Sequence, residues 1–234
     1  MNDYFQFKKF LIRQSQTAMK VGTDGVLLGA WADLTTASSM LDIGTGTGLL
    51  ALMAAQRNTE AHIDAVEIDP LAYRQAVENV AESPWRENIS VFHLSISDFF
   101  PSRLYEHILC NPPFFVSSTP APLANRALAR HCQDFTHEDL LEAAERLLLP
   151  QGKLSLILPC QEADKLISKA KSQNLYLSRI AQVLPTPEKA PKRKLLEFSR
   201  TEKTIESQEI VVELSRHHYS PEYINLTREF YLNL

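Results

Sequence analysis

Short apolar runs alternate with amphipathic segments along the first two thirds of the chain. Five of these runs are short and bounded by turn residues, as buried strands are: 39–43, 62–68, 89–94, 107–110 and 153–158. Three segments between them have the length and spacing of helices: 49–55, 70–80 and 139–149. Strands that alternate with helices indicate a parallel sheet covered on both faces, so the pattern predicts an α/β fold.

The rhythm changes beyond Leu175. Three strand-like runs follow without a long helix between them, at 176–184, 193–200 and 209–214. We expect these runs to form an antiparallel edge of the same sheet. Residues 150–152 predict a turn from helix to strand, and the proline-rich stretch 185–191 predicts a loop between edge strands. One domain is expected, with a lead-in (1–38), a core (39–160) and C-terminal edge strands with a tail (161–234).

Glycines are concentrated in one part of the chain. Six of the seven lie between positions 22 and 48, and Gly44, Gly46 and Gly48 alternate directly after Asp42-Ile43 at the end of the first strand. Glycine allows a sharp turn and lets a ligand approach main-chain N–H groups. The dinucleotide fingerprint requires glycine at 49, where this chain has leucine, so a pyrophosphate site is disfavoured. The pattern predicts a nucleotide-like cofactor; a tight turn without a ligand is the alternative.

Carboxylates follow the second and third predicted strands. Glu67 ends the second strand, where a carboxylate can accept hydrogen bonds from both ribose hydroxyls of an adenosine group. Asp69 precedes Pro70, an arrangement typical of a helix N-cap, with ligand contact as the alternative. Asp98 follows the third strand and, taken alone, is a loop or cap residue.

The segment Asn111-Pro112-Pro113-Phe114 ends the fourth predicted strand. Two prolines fix an extended, rigid turn whose carbonyl groups lack partners. The Asn111 side-chain oxygen and the Pro112 carbonyl can each accept a hydrogen bond from an amino group. These bonds stabilise the charge that develops when the amino nitrogen is methylated. Phe114 can stack on a planar base. In isolation this tetrapeptide is equally compatible with a plain loop.

Both motifs resemble those of a known enzyme class. The alternate glycines resemble motif I of class I S-adenosylmethionine-dependent methyltransferases, and Asn-Pro-Pro-Phe resembles motif IV of those that methylate amino groups. The whole chain is similar to the bacterial tRNA1(Val) adenine-37 amino methyltransferases. Three stretches carry that resemblance: 5–10 with 19–31, 111–114, and 219–232.

The resemblance implies a Rossmann-like, mostly parallel sheet of seven strands and S-adenosylmethionine as cofactor. It places six residues around the cofactor: Asp42, Gly44, Gly46, Gly48, Glu67 and Asp98, the last at the adenine. It places Asn111, Pro112 and Phe114 at the exocyclic amino group of adenine 37 in the anticodon loop of a tRNA. Residues 20–24 either close over the methionine part of the cofactor or, through Gly22 and Gly25, shape the start of a helix.

Related motifs leave other functions open. Similar residues occur in methyltransferases that act on guanine amino groups of rRNA or on a protein glutamine. A DNA adenine methyltransferase is disfavoured, because too few residues follow the core to form a target-recognition domain. The remaining alternative is a non-catalytic RNA-binding module with the same fold.

Charge is segregated along the chain, although the net charge of -4 argues against an extensive phosphate-binding surface. Residues 1–20 hold four basic side chains and one acidic, 33–110 hold four basic and eleven acidic, and 186–203 hold six basic and three acidic. The candidate RNA contacts are basic residues near the ends and after motif IV: Lys8, Lys9, Arg126, Arg130, Lys192, Arg193 and Lys194. Solvated loop residues are the alternative interpretation.

Composition indicates an ordinary globular protein, with 44% hydrophobic and 22% charged residues. The longest apolar run, 49–55, is far shorter than the roughly 20 residues of a membrane span, and no signal peptide is recognised, so a cytoplasmic protein is expected. The seven histidines lack metal-ligand spacing and no metal is expected. Three cysteines, Cys110, Cys132 and Cys160, are expected to be reduced. A monomer is favoured, although the sequence does not determine the oligomeric state.

Overall fold

The computed structural model describes residues 2–17, 19–112 and 135–233. The strands are β1 (Tyr4–Gln6), β2 (Leu11–Arg13), β3 (Ser39–Ile43), β4 (His62–Glu67), β5 (Ile89–His93), β6 (Tyr105–Cys110), β7 (Leu148–Pro159), β8 (Tyr176–Leu184), β9 (Arg193–Ser199), β10 (Glu206–Val211), β11 (Glu213–Ser215) and β12 (His218–Tyr219). The helices are α1 (Thr23–Trp31), α2 (Leu49–Arg57), α3 (Pro70–Ala81), α4 (His137–Leu147), α5 (Cys160–Ala170) and α6 (Pro221–Thr227). These elements confirm the predicted α/β class.

The main sheet has the strand order β10-β8-β9-β7-β6-β3-β4-β5. Strands β3 to β7 are parallel to their neighbours within that group, whereas β9 is antiparallel to both β7 and β8. Strands β8, β9 and β10 alternate in direction along the chain, but they are not adjacent in that order, because β9 lies between β7 and β8. Strand β10 therefore pairs with β8, to which it is parallel, and among the described strands of this sheet only β9 gives the expected antiparallel pairing. Over the described residues this sheet has eight strands rather than the expected seven.

The predicted turn at 150–152 is wrong, because β7 continues through it. Tyr105 of β6 pairs with Leu148 and His107 pairs with Lys153, so the intervening residues of β7 form a bulge. A Cβ at Gly152 would lie 2.8 Å from the Tyr105 carbonyl oxygen and 3.0 Å from that of Leu149. Glycine therefore permits the two backbones to approach closely at the bulge rather than reversing the chain.

Helices cover both faces of the sheet, as predicted. Helices α1, α2 and α3 pack on one face, where Leu27, Leu52 and Met53 are buried. Helices α4 and α5 pack on the other face, where Leu140 and Leu166 are fully buried. Helix α5 was not among the predicted elements. Of the helices in the described ranges, none has the length and apolar character needed to cross a membrane.

The two chain ends pack against each other. Phe7 forms an isolated antiparallel bridge with Tyr231, and the Phe7 ring stacks on Phe10 with centroids 4.6 Å apart. The Lys8 N–H donates to the Phe230 carbonyl (2.8 Å). The first and last stretches that carry the family resemblance thus form one aromatic cluster.

Candidate active site

The loops after β3, β4, β5 and β6 lie at one edge of the sheet, because these four parallel strands are neighbours. The loop after β3, called here the glycine loop (residues 44–48), has positive φ at Gly44 (68°), Gly46 (59°) and Gly48 (84°). A Cβ at Gly44 or Gly46 would meet no atom of the described residues within 4 Å, so these residues leave open space beside the loop. This confirms the predicted sharp turn and its room for a close ligand.

Asp42 supports the glycine loop from within the sheet. Its side chain is fully buried, and Oδ2 accepts hydrogen bonds from Thr45 Oγ1 (2.5 Å) and the Ala51 N–H (3.2 Å). Oδ1 is buried without a hydrogen-bond partner among the described residues. Burial raises the pKa of Asp42 to about 7, and its two hydrogen bonds oppose that rise. The carboxyl group therefore holds the loop and retains one unsatisfied oxygen.

Glu67 joins the glycine loop to the start of α3. Its Oε2 accepts from the Gly46 N–H and its Oε1 from the Asp69 N–H, both at 2.8 Å. Glu67 is 8% exposed, and burial raises its pKa while the backbone N–H groups counteract that effect. A carboxylate has about four acceptor positions, so Glu67 keeps capacity for ligand hydroxyls. Asp69 accepts from the Leu71 and Ala72 N–H groups, which confirms its predicted role as the N-cap of α3.

The residues after β4 and β5 flank the same edge. Asp98 ends a short 3₁₀ turn, Ile96–Asp98, and its side chain is exposed. Ile68, which follows Glu67, is 41% exposed, and its carbonyl group lies 3.2 Å from His93 Nε2. An exposed apolar side chain beside a strand-end carboxylate can contact a planar ring. The sequence did not single out Ile68, which lies between the predicted site residue Glu67 and the N-cap Asp69.

Asn111 directly follows β6 and lies against α1. A Cβ at Gly25 would be 3.7 Å from Asn111 Nδ2 and 2.9 Å from Leu49 Cδ2 at the start of α2. Asn111 Oδ1 is buried and has no hydrogen-bond partner among the described residues. Buried amide oxygens ordinarily have a donor, so this atom is suited to receive one from a ligand. Pro112 is buried, whereas Pro113 and Phe114 fall outside the described residues.

The lead-in before α1 is anchored to the site by two buried amides of α3 that sequence analysis missed. Asn79 bonds both to the backbone of Arg13 and to the carbonyl group of Thr47 in the glycine loop. Gln75 Oε1 accepts from the Gln16 N–H (3.3 Å). Gly22 is the N-cap of α1, so its expected role at a helix start is confirmed, whereas closure of residues 20–24 over a cofactor stays a prediction. No local sequence signal identifies amides that act between elements.

The C-terminal basic segment (residues 192–194) lies at the same edge of the sheet, where the parallel strands have their carboxyl ends. Arg193 pairs with Pro159 at the carboxyl end of β7, and its Nε lies 2.8 Å from Asp24 Oδ2 in the first turn of α1. Lys194 Nζ lies 2.5 Å from Asp164 Oδ1, and Lys192 is exposed. Two of these three cations are therefore already paired with carboxylates.

The other candidate RNA contacts are less clearly placed. Lys8 and Lys9 are exposed between β1 and β2, and Lys8 Nζ donates to the Arg228 carbonyl (2.6 Å). No contact joins either lysine to Asn111 or to the glycine loop in the described parts of the chain. Arg126 and Arg130 lie outside those parts.

Cys110 and Cys160 are free thiols, as expected, and Cys132 is outside the described residues. Burial raises the pKa of Cys110, and Cys160 Sγ donates to the Pro191 carbonyl (3.2 Å). Within the described ranges, no group of three or more His, Cys, Asp or Glu side chains is arranged to hold a metal ion.

Comparisons with known proteins agree with this arrangement. Residues 15–171 match the family described as the methyltransferase small domain. The chain is 45% identical to the tRNA1(Val) (adenine(37)-N6)-methyltransferase of Parabacteroides distasonis, covering 100% of this chain and 99% of that protein. It is 47% identical to the protein of the same name in Flavobacterium johnsoniae, covering 98% and 100% respectively.

A solved structure supports the fold. A protein of Agrobacterium tumefaciens, described as a predicted O-methyltransferase, superposes with a TM-score of 0.67 over 88% of this chain and 96% of its own, at 21% identity. The fold is that of the class I methyltransferases, and S-adenosylmethionine is the methyl donor. The chain is therefore a methyltransferase that belongs to the tRNA1(Val) (adenine(37)-N6)-methyltransferase family.

Proposed function

We propose that this protein transfers a methyl group to the exocyclic amino nitrogen of adenine 37 in the anticodon loop of a valine tRNA, in the cytoplasm. The names of its full-length relatives support this substrate. The observation that carries the proposal is the buried Asn111 Oδ1 at the carboxyl end of β6, which has no hydrogen-bond partner among the described residues; β6 lies next to β3, the strand that precedes the glycine loop.

The described residues fit the methyl donor. Its sulfonium supplies an electrophilic methyl group. The open space at Gly44 and Gly46 accommodates close backbone contact, and Glu67 has acceptor capacity for the ribose hydroxyls. The unsatisfied Asp42 Oδ1 provides a further acceptor beneath the loop. Asp98 and the exposed Ile68 are the candidates for contact with the adenine ring.

Asn111 and Pro112 would activate the target without removing its proton first. An adenine amino nitrogen is a weak nucleophile because its lone pair is delocalised into the ring. If Asn111 Oδ1 and the Pro112 carbonyl each accept a hydrogen bond from the amino group, they stabilise the positive charge that grows on the nitrogen as it bonds to the methyl carbon. The donor would supply the methyl group by giving up its carbon–sulfur bond as the carbon–nitrogen bond forms, and the surplus proton would then pass to water. Phe114 is proposed to stack on the base.

The C-terminal basic segment is proposed to contact the RNA backbone near the target. Arg193 pairs with Asp24, whose neighbour Gly25 packs beside Asn111. This chain of contacts joins the basic segment to the residue proposed to bind the target base. A phosphate at this edge would therefore lie near the site, and the positive charge of Lys192 would attract it.

Mass spectrometry of tRNA nucleosides tests the proposal. A strain that lacks the gene should lose N6-methyladenosine from its valine tRNA, and the wild-type gene should restore it while Asn111→Ala should not. Purified enzyme with labelled donor, offered tRNA, ribosomal subunits and a release factor, should label only the tRNA. An intact modification in the deletion strain, or label in another substrate alone, would refute the assignment.

A further inference from the structure

Asn79 uses its whole side-chain amide to join two separate segments. It is 1% exposed on α3, and its Oδ1 accepts from the Arg13 N–H (2.8 Å). Its Nδ2 donates to the Arg13 carbonyl (2.9 Å) and to the Thr47 carbonyl in the glycine loop (2.8 Å). The amide therefore pairs with Arg13 as a neighbouring strand would and fixes one carbonyl group of the loop at the same time.

The lead-in continues from Arg13 towards the target side of the site. Gln75, one turn before Asn79 on α3, is also 1% exposed and holds the Gln16 N–H (3.3 Å). Gln14 Oε1 then accepts from the Val21 N–H (2.8 Å), just before α1 begins beside Asn111. The lead-in thus connects the glycine loop, through Asn79, to the helix that packs on Asn111.

We propose that Asn79 is a positioning residue for donor binding. Three glycines with positive φ give the loop after β3 much conformational freedom, which a ligand must remove when it binds. A buried bond to the Thr47 carbonyl removes part of that freedom before binding. Asn79 touches no reacting atom in this account, and the inference rests on the proposed assignment of the glycine loop to the donor.

Asn58 offers a matched control. Its Nδ2 likewise donates to backbone carbonyl groups, three where Asn79 has two: those of Leu34, Thr35 and Ala37, at 3.2, 3.3 and 2.9 Å. It lies at the C-terminal end of α2, and those carbonyl groups precede β3, at the opposite end of that strand from the glycine loop. Asn58→Ala therefore removes a similar set of bonds without touching the loop.

The test compares Asn79→Ala with Asn58→Ala in the full-length protein. Calorimetric titration should give a donor Kd about 5- to 20-fold higher for Asn79→Ala, the scale of losing one to two buried hydrogen bonds, and little change for Asn58→Ala. Hydrogen exchange at the Gly46 and Gly48 amides of the donor-free protein should accelerate only in Asn79→Ala. At saturating donor concentration, the kcat of Asn79→Ala should stay near the wild-type value, because the substitution raises the KM for the donor.

Two further variants make each outcome decisive. Asn79→Leu keeps about the same side-chain volume and places no charge beside the Arg13 and Thr47 carbonyl groups, so it should weaken donor binding as Asn79→Ala does, even if the alanine variant folds poorly. Glu67→Gln tests the donor site itself. If Glu67→Gln weakens binding while both Asn79 variants match Asn58→Ala, the positioning role is refuted and the site stands. Unchanged affinity in Glu67→Gln would instead refute the donor-site assignment.

Discussion

Two buried oxygens, one on Asp42 and one on Asn111, have no hydrogen-bond partner within the described ranges, and they distinguish this site at the scale of single residues. Asp42 is fully buried and supports the glycine loop through Thr45 and Ala51, whereas Asn111 stands beyond the end of β6 beside Gly25. Their environments suit different tasks. A buried carboxyl group beneath the glycine loop suits cofactor binding. A neutral amide oxygen beside the proposed target base can accept a hydrogen bond and does not take up a proton.

Asn111→Ala should slow methyl transfer and leave donor binding unchanged. Losing one preorganised partner of the developing charge raises the barrier by about 2 to 4 kcal/mol, which lowers kcat by roughly 30- to 1,000-fold. Single-turnover kinetics and donor titration separate the two effects. Asp42→Ala and Glu67→Ala should mainly raise the donor Kd, so an equal loss of affinity in all three variants would show that these roles are wrongly divided.

The raised pKa of Asp42 predicts that the free energy of unfolding of the donor-free protein depends on pH. The folded-state pKa of about 7 lies above the unfolded value of about 3.8, so the unfolded chain ionises first as pH rises and stability falls across that window. Relative to wild type, Asp42→Asn should gain about 2 to 4 kcal/mol of unfolding free energy between pH 4 and 7. Chemical denaturation across this range measures the difference. A constant difference would mean that Asp42 ionises normally.

Helices α1 and α2 pack through two glycines of α1 spaced one turn apart. A Cβ at Gly25 would lie 2.9 Å from Leu49 Cδ2 and near Asn111, and one at Gly29 would lie 2.7 Å from Met53 Sδ and 3.1 Å from Met53 Cβ. Both positions are tight, but only Gly25 adjoins the site. The close packing of α1 against α2 at Gly25 therefore lies beside the Asn111 side chain.

Gly25→Ala and Gly29→Ala separate packing from catalysis. Overpacking costs about 1 to 3 kcal/mol, and the helix preference of alanine over glycine offsets about 1 kcal/mol of it in each variant. Gly25→Ala should also lower kcat about tenfold, because a small displacement of the target-binding group is costly. Thermal unfolding and steady-state kinetics report the two effects. Equal kcat values in both variants would show that α1 does not position Asn111.

Periodicity predicted the elements of the core better than their pairing. Strands β3 to β6 and helices α2 to α4 follow local patterns of apolar spacing, so they were predictable to within a few residues. The bulge at Gly152 and the parallel pairing of β10 with β8 depend on neighbours distant in sequence. Local patterns carry no record of which strand inserts between two others.

The residues of the candidate site differ in how far the sequence singles them out. The glycine loop, Glu67 and Asn111 belong to short motifs whose residue types follow from the chemistry. Asn79 and Ile68 were not predicted, because the role proposed for a buried amide or an exposed isoleucine depends on the elements that surround it.

Charge is unevenly distributed over the molecule. The basic segment 192–194 lies at the edge that holds Asn111, since Arg193 pairs with Pro159 at the end of β7. The chain returns to the opposite edge at Ser199, which pairs with Lys153, so Lys203 lies beyond the far end of β9. The two ends of this basic region therefore occupy different positions relative to the site.

Lys192→Ala and Lys203→Ala remove the same charge from these two ends. If the RNA binds at the edge of Asn111, Lys192→Ala should weaken tRNA binding about two- to fivefold and reduce the slope of log affinity against log salt by about 1. Lys203→Ala should have a much smaller effect, and donor affinity should not change in either. Filter binding at several salt concentrations measures this, and equal effects would argue against RNA docking at this edge.

The most direct measurement follows a labelled methyl group from S-adenosylmethionine to its acceptor. Purified enzyme should be incubated with valine tRNA transcripts that carry adenine or guanine at position 37, and the label mapped by nuclease digestion and mass spectrometry. We predict one methyl group on the amino nitrogen of adenine 37 in the first transcript and none in the second, and Asn111→Ala should label the first transcript at least about 30-fold more slowly. Label at another position, or equal label in both transcripts, would contradict this prediction.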